Sequence, residues 1–418
     1  MTATTTPATA ETSATMATNS AEKSVVDKDK MIFTLSADQR KALLSNDSSE
    51  FEAAFDKIMS EIRATFDAEG FVLIRGLLEE EPLERLCEDG QKVADLVKLG
   101  STFTSLKFGP IFSFPDASEK DVVCGQAFRD VAMRSTIPAF IARVLFYNQQ
   151  GDDNNKDASL RLLKDCFLAK GKEQRFCGWH VDDSGFWPTD SQSNGVNVWI
   201  SMDSMPAKYG GGLAISPKSH TAEWRQHAYE TIGSTKIFPP EGVDVDGPMF
   251  KQVFGKTCSM STLDPELNER IESSKIEYDY QKGDCLFCTR WLFHRSVQIN
   301  EEGLKHYDNQ ECALKRYTVR YERGSAKLVR GLSVETAVLA DKENSGKTLD
   351  DVCKASGPFY PQCWPMLTDP QEQEAKMKSL ATGAFPAVEV KRQDIMKDMQ
   401  ARMAQQAKEE ENKSSGGY

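Results

Sequence analysis

Two short stretches decide the fold: GWHVDDSGFW at residues 178–187 and DCLFCTRWLFHRS at residues 284–296. The first contains a His-x-Asp formed by His180 and Asp182, and the second carries a lone His294 at the far end of an aromatic, strand-like run. Side chains at positions i and i+2 of a strand face the same side. If both stretches are inward-facing strands of one small barrel, two imidazoles and one carboxylate meet. That is the ligand set of a facial-triad non-haem Fe(II) oxygenase.

A His-x-Asp pair is weak evidence by itself. Of the 418 residues 63 are acidic, so such a pair arises easily by chance, and a second copy occurs at His306 and Asp308. Apolar and aromatic neighbours of the first copy, among them Trp179 and Trp187, are expected to keep its cavity partly dry. The second copy lies in a polar stretch without a strand pattern, and we interpret it as a solvated loop. A lone histidine after an apolar run is more often a core residue than a ligand, so both interpretations of His294 remain open.

The composition narrows the class of protein. A hydrophobic fraction of 39% with 22 Phe allows a sizeable core, and the formal net charge of -12 argues against general nucleic-acid binding. No apolar run approaches the roughly 18 residues of a membrane span. Ten cysteines without a signal peptide favour reduced thiols and a cytoplasmic location, with organelle targeting by the N-terminal tail left open. We interpret the C-x-x-C of Cys285 and Cys288 as two strand thiols on opposite faces rather than a zinc site.

Hydrophobic spacing predicts helices in the first part of the chain and strands in the second. Apolar residues at steps of three and four predict a helix at 49–68, which Gly70 ends, followed by a buried strand at 71–78. Further helices are predicted at 82–98 and 134–147. The later short β-rich runs, separated by Gly, Pro, Asn and Asp, favour an antiparallel barrel or jelly roll over alternating βα units. The expected fold class is mainly β with flanking helices.

One domain is expected between two tails. The Thr/Ala/Ser-rich residues 1–30 have too little apolar content to offset the entropy of ordering and are predicted to be disordered. Residues 31–387 are predicted to form a single domain with a β core at about 66–325 and a peripheral segment at 331–387 packed on its outside. Residues 388–418 are predicted to be a charged tail, helical in part and flexible at its end.

Five stretches follow one another in a recognisable order: FDAEGFVLIRGLL (66–78), WHVD (179–182), a strand, Gly-rich turn and Pro-x-Ser-His (196–220), KGDCLFCTRWLFHRS (282–296) and KRYTVRY (315–321). Together they resemble the phytanoyl-CoA dioxygenase family. The resemblance spans about Phe66 to Tyr321, and its specificity comes from the order of the motifs, since each is weak alone. It implies an Fe(II)- and 2-oxoglutarate-dependent oxygenase on a double-stranded β-helix, a cupin-like jelly roll.

The resemblance also implies a role for each matching residue. His180, Asp182 and His294 would hold iron. Arg316 matches the basic residue that grips the distal carboxylate of 2-oxoglutarate, and a planar guanidinium suits this role because it binds a carboxylate through two parallel hydrogen bonds. His220, in the Pro-x-Ser-His turn, is interpreted as structural, with a contact near the substrate as the alternative. The other matches to the cosubstrate site are Ser296, Trp199 and Lys170.

One departure from the family pattern concerns the spacing of this arginine. Arg316 follows His294 by 22 residues, a longer separation than is usual in the family. We interpret residues 299–315 as an inserted loop, which also contains His306. Arg320 is a rival anchor, because a spacing of four returns a strand side chain to the same face.

The resemblance implies a particular reaction but does not identify its substrate. Fe(II), 2-oxoglutarate and O2 are implied, with ascorbate as a stimulant. The expected reaction hydroxylates a small organic or lipid-like molecule and releases succinate and CO2. Related halogenases replace the carboxylate ligand with a small residue, so the presence of Asp182 favours a reaction without halide. Two alternatives stand: another oxidation such as desaturation, cyclisation or epimerisation, and a non-catalytic jelly roll that binds metal. The residues do not distinguish an acyl-CoA, a lipid, an amino acid or an alkaloid as the substrate.

Overall fold

The computed structural model describes residues 27–45, 48–98, 126–146, 159–170, 178–182, 187–190, 193, 195–224, 265–307, 314–328, 344–353 and 360–366. The predicted tail at 388–418 lies outside these ranges, as do residues 1–26 of the predicted N-terminal tail. Residues Lys28–Met31 form a 3-10 turn. The Tyr278 hydroxyl donates to the Lys28 carbonyl at 3.1 Å, so the end of the predicted tail contacts the domain.

Ten strands in the described residues form two sheets. They are β1 (Ile32–Thr34), β2 (Phe71–Arg75), β3 (Leu160–Lys170), β4 (Val196–Ser201), β5 (Leu213–Ile215), β6 (Ile276–Glu277), β7 (Cys285–Thr289), β8 (His294–Ser296), β9 (Leu314–Arg323) and β10 (Gln362–Trp364). The larger sheet has the order β1-β2-β7-β4-β9-β3-β10, and the smaller has the order β6-β5-β8. Only β1 and β2 pair in parallel; the other neighbours in these two sheets are antiparallel.

Eight α-helices are described, and those between residues 48 and 140 contact the larger sheet. In the described residues the eight are α1 (Ala37–Leu44), α2 (Ser48–Glu69), α3 (Glu80–Lys98), α4 (Gln126–Arg134), α5 (Thr136–Phe140, continued as a π-helical turn at Ile141–Leu145), α6 (Pro265–Ser273), α7 (Glu301–His306) and α8 (Leu349–Val352). The helices predicted at 49–68 and 82–98 are therefore confirmed, and the helix predicted at 134–147 begins at a Ser135 cap and changes to π geometry. None of the described helices is long and apolar enough to cross a membrane.

The larger sheet has two buried faces. Val198 and Val319 lie on the face that packs against α2 and α4, in one core with Phe55 and Phe128. The opposite face carries Trp199 and other side chains that pack against the smaller sheet. Strands buried on both sides read as continuous apolar runs, which is why the sequence of β4 shows little alternation. Burial on both sides also places polar residues of the inner face in a closed interior, where the candidate site lies.

The two cysteines of the C-x-x-C behave as predicted. Cys285 packs in the core under the helices, whereas Cys288 packs in the core between the sheets. Burial raises the pKa of both thiols well above the ordinary value. They therefore remain protonated and serve as small apolar residues.

The expectation of a single strand through residues 284–296 is wrong. Strand β7 ends at Thr289, a turn follows, and His294 opens β8 in the other sheet. Arg290 explains the break: its side chain is fully buried and forms an ion pair with Glu322 at 3.2 Å, as well as a hydrogen bond to the Thr189 carbonyl at 3.1 Å. Because a buried charge must be paired, the ion pair between Arg290 and Glu322 fixes the turn after β7. The chain then continues into the second sheet.

Two further segments differ from the sequence-based expectation. Residues 301–306, predicted as part of a solvated loop, form helix α7. The Asn300 side chain caps it by accepting from the Gly303 amide at 2.8 Å, a local signal that the loop interpretation missed. In the C-terminal segment, β10 pairs with β3 at the edge of the larger sheet, and Trp364 is buried in the main core. This part of the segment is an integral part of the sheet.

Candidate metal centre

Three side chains from two distant parts of the chain converge between the sheets. The ligand atoms of His180, Asp182 and His294 all lie within 4.8 Å of one another. The Oδ1 atom of Asp182 is 3.6 Å from Nε2 of His180 and 3.7 Å from Nε2 of His294. Among the described residues, this group has the composition and spacing of a metal site. Each of its members was proposed from the sequence.

A single backbone bridge brings the two histidines together. The His180 amide donates to the His294 carbonyl at 3.1 Å, and the His294 amide donates to the His180 carbonyl at 3.0 Å. The imidazole centroids are consequently only 4.3 Å apart. The strand expected around His180 is reduced, in the described residues 178–182, to this bridge. Asp182 nevertheless lies on the same side as His180, as the i, i+2 spacing predicts.

Backbone carbonyls fix the tautomer of both imidazoles. Nδ1 of His180 lies 2.7 Å from the Gly178 carbonyl, and Nδ1 of His294 lies 3.0 Å from the Leu292 carbonyl. A carbonyl oxygen only accepts, so each Nδ1 carries the proton and each Nε2 presents a lone pair. In both cases the acceptor is two residues before the histidine. The same local hydrogen bond, to the carbonyl two residues earlier, thus orients both candidate metal-binding nitrogens.

The protonation states suit a metal. Burial, assisted by the nearby His180, lowers the pKa of His294 to about 4, which keeps this imidazole neutral at physiological pH. Burial alone would raise the pKa of Asp182. The positive charge of Arg320 and the proximity of His180 and His294 outweigh burial and hold this pKa well below its ordinary value. Two neutral nitrogens and one carboxylate oxygen fit Fe(II) in a facial-triad site.

The second oxygen of Asp182 is fully engaged by two other residues. Arg320 donates to Oδ2 from Nε at 3.1 Å and from Nη2 at 2.9 Å, and Asn197 donates from Nδ2 at 2.8 Å. Asn197 and Arg320 are cross-strand partners on β4 and β9. Asn197 was not predicted from the sequence, although a polar residue on the inner face of an otherwise apolar strand was the available signal. Arg320 was predicted only as a rival cosubstrate anchor.

A glutamate on α6 supports both histidine-bearing segments from outside. Glu272 accepts from the indole of Trp179 at 2.8 Å and forms two bonds with the guanidinium of Arg295, at 3.0 and 2.8 Å. Trp179 precedes His180 and Arg295 follows His294, so one carboxylate ties together the two segments that carry the ligands. No pattern in the sequence links Glu272 to the motifs.

Arg316 and Trp199 lie on the inner face of the larger sheet. Arg316 is 1% exposed, and its Nη1 donates to the Gly211 carbonyl at 2.8 Å. Gly211 has a φ of 93°, a conformation that glycine adopts without strain. Trp199 packs on Tyr280 with ring centroids 4.6 Å apart. The structure thus brings Arg316 and Trp199 to the interior between the sheets.

The other two predicted cosubstrate residues lie at strand ends. Ser296 is the last residue of β8, two positions after His294, and pairs with Leu213 of β5. Lys170 is the last residue of β3 and pairs with Leu314 of β9. Ser296 is half-buried.

The two other histidines in the described part of the chain are separate from this group. His306 is exposed at the end of α7 and stacks on Tyr209 with ring centroids 4.1 Å apart. Nε2 of His220 contacts the Asp67 carbonyl at 3.0 Å, and the ring lies so close to Gly70 that a Cβ there would come within 2.5 Å of its Nδ1. His220 therefore joins its turn to the end of α2, which supports the structural interpretation.

Comparisons with known proteins identify a family and several similar solved structures. The family described as phytanoyl-CoA dioxygenase (PhyH) matches residues 66–306, and a comparison with curated proteins found no match. Among solved structures, the non-haem alpha ketoglutarate dependent epimerase SnoN from nogalamycin biosynthesis is similar with 15% identity and a TM-score of 0.44, covering 73% of this chain and 98% of that chain. The carbocyclase SnoK from the same biosynthesis has 16% identity and a TM-score of 0.41, covering 65% and 87%. EctD from S. alaskensis has 11% identity and a TM-score of 0.39, covering 69% and 83%.

The family match includes the WHVD motif, the central strand of the larger sheet (β4), the central strand of the smaller sheet (β5) and the segment that carries His294. It extends over more than half of the chain. This protein therefore belongs to the phytanoyl-CoA dioxygenase family, and it is a 2-oxoglutarate-dependent non-haem iron oxygenase.

Proposed function

We propose that this enzyme hydroxylates a small organic or lipid-like substrate with Fe(II), 2-oxoglutarate and O2, releasing succinate and CO2. One observation carries the proposal: Nε2 of His180, Nε2 of His294 and Oδ1 of Asp182 converge, while both Nδ1 atoms are already bonded to carbonyls. Packing alone does not explain why two imidazole lone pairs and a carboxylate oxygen face one point.

The three side chains would hold the iron, and the bound iron would supply the oxidising chemistry. The role of the protein is to fix the ligands and exclude bulk water. His294 and Asp182 are 7% and 4% exposed, so the centre is shielded on its protein side. Three protein ligands leave the rest of an octahedral coordination sphere to small molecules, as cosubstrate chelation requires.

Arg316 is our proposed anchor for the distal carboxylate of 2-oxoglutarate. It is buried on the same face of β9 as Arg320, which itself binds the metal carboxylate, and the bond to Gly211 holds its guanidinium in one orientation. A buried, oriented fork suits a carboxylate that must be bound in a fixed direction. We propose that Ser296, Trp199 and Lys170 line the same cosubstrate pocket.

The two sheets, joined by the bridge between His180 and His294, are proposed to form the double-stranded β-helix that the family resemblance implies. In such a jelly roll the smaller sheet covers the inner face of the larger one. The core between the sheets, which contains Trp199 and Leu286 of the larger sheet and Ile215 of the smaller, supports this arrangement.

The proposal is tested by measuring succinate formed from 2-oxoglutarate by purified protein, with and without Fe(II). We expect slow, Fe(II)-dependent turnover even without the true substrate, and its loss in His180→Ala and Asp182→Ala. His306→Ala is the matched control, because this exposed histidine also heads a His-x-Asp sequence and should tolerate substitution. Activity that survives His180→Ala but not His306→Ala would contradict the ligand assignment. Metal binding without any turnover of 2-oxoglutarate would support the non-catalytic alternative.

A further inference from the structure

The two oxygens of the Asp182 carboxylate have different surroundings. Its Oδ1 faces the histidine nitrogens, whereas its Oδ2 accepts three hydrogen bonds, two from Arg320 and one from Asn197, at 2.8–3.1 Å. Each of these three residues is at least nine-tenths buried. A carboxylate oxygen with three donors has no lone pair directed elsewhere, so Oδ2 is withheld from a metal.

We infer that Arg320 and Asn197 are positioning residues that keep Asp182 a one-oxygen ligand of the iron. This inference rests on the proposed metal site. A carboxylate can bind a metal through one or both oxygens. Two-oxygen binding would occupy a coordination position that the cosubstrate needs. By holding Oδ2, the pair would reserve that position and fix the direction of Oδ1.

The sheet supplies the rigidity for this role. Arg320 and Asn197 lie directly opposite each other on β9 and β4, two adjacent central strands of the larger sheet. Arg320 approaches Oδ2 with two nitrogens of one planar group, a geometry that a lysine does not reproduce. Asn197 approaches from the neighbouring strand, so the carboxylate is held from two directions.

Arg320 also changes the charge that the centre presents. Its guanidinium offsets the negative charge of Asp182 inside a buried region, where charges interact more strongly than in water. A metal bound by Asp182 would therefore keep more of its positive charge toward the dianionic cosubstrate. Two arginines four residues apart on β9 would then divide the work: Arg320 serves the metal carboxylate and Arg316 serves the carboxylate of 2-oxoglutarate.

The test is a Co(II) titration of metal-free protein in the absence of 2-oxoglutarate, with the visible spectrum of Co(II) as a report on its coordination. Arg320→Gln should weaken Co(II) binding about ten- to a hundredfold, the usual effect of removing a residue that orients a ligand. This loss should outweigh the removal of a positive charge beside the metal and any second bond that the freed Oδ2 forms. Asn197→Ala, which removes one neutral hydrogen bond, should weaken it roughly two- to tenfold. Both variants should change the Co(II) spectrum.

Arg316→Lys is the matched control on the same face of the same strand, and it should leave Co(II) affinity and spectrum unchanged. Near-ultraviolet circular dichroism of the metal-free proteins checks folding, and if Arg320→Gln does not fold, Asn197→Ala carries the test. Wild-type affinity and an unaltered spectrum in a folded Arg320→Gln or Asn197→Ala protein would overturn the inference. So would a loss of affinity in Arg316→Lys as large as that in Arg320→Gln. Because no cosubstrate is present, an expected Co(II) result combined with absent succinate formation would refute the proposed reaction alone.

Discussion

At the scale of single residues, the metal centre depends on hydrogen bonds that leave particular atoms available. Each histidine donates its Nδ1 proton to a carbonyl two residues earlier, and Asp182 gives one oxygen to Arg320 and Asn197. The WHVD motif predicted two of the three ligands because a spacing of two survives even where the strand is reduced to one bridge. The bond between Arg320 and Asp182 was not predictable, since it joins positions 138 residues apart in the chain.

Arg316 gives the residue-scale prediction. Arg316→Lys keeps the charge but loses the two-pronged geometry, so the apparent KM for 2-oxoglutarate should rise about ten- to a hundredfold, which corresponds to a lost charge-assisted hydrogen bond. Steady-state succinate assays with varied 2-oxoglutarate measure this change. The role assigned to Arg316 is wrong if KM stays at the wild-type value.

At the scale of elements, strand β8 and the segment of His180 are held by helix α6 through Glu272. Hydrophobic periodicity predicted the existence of most helices and strands because their apolar residues face a common core. It did not predict the turn at Arg290, because that turn is set by a buried ion pair with a residue on another strand. Nor did it predict the cap of α7, which depends on a single side chain.

Glu272 gives a prediction about pH. Burial would raise its pKa, but hydrogen bonds from Arg295, Lys275 and Trp179 lower it from the ordinary 4.5 to about 2. The folded pKa lies below the unfolded one, so these bonds stabilise the protein fully above about pH 4.5, and the stabilisation is lost as the pH falls toward 2. Glu272→Gln should therefore have a lower melting temperature than the wild type at pH 6, and the difference should shrink steadily as the pH falls toward 2.5. Melting curves from pH 2.5 to 7 test this, and a difference between the two proteins that does not change with pH would contradict it.

At the scale of the whole molecule, the fold is a large mixed sheet between a helical layer and a smaller sheet, with the candidate centre in the inner interior. A β-rich core with flanking helices was expected from the sequence, whereas the division into a seven-stranded and a three-stranded sheet was not. The sequence did not reveal that the C-terminal segment returns to the larger sheet, since β10 is only three residues long and its pairing with β3 spans about 200 positions of the chain.

The N-terminal residues give a prediction at this scale. Residues 1–26 are rich in Thr, Ala and Ser and contain few apolar side chains, so removing them should leave the melting temperature and the rate of succinate formation close to those of the full chain. Truncation should stop before Lys28, because this residue donates to the Glu277 carbonyl at 3.2 Å. A large fall in melting temperature after deletion of residues 1–26 would refute the composition-based expectation.

The central claim is that His180, Asp182 and His294 together hold an iron that 2-oxoglutarate chelates. Anaerobic addition of Fe(II) and then 2-oxoglutarate to metal-free protein tests it, because chelation produces a visible metal-to-ligand charge-transfer band. We predict this band in the wild type and in His306→Ala, and its absence in His180→Ala and Asp182→Ala. No band in the wild type, or an equal band in His180→Ala, would contradict the account.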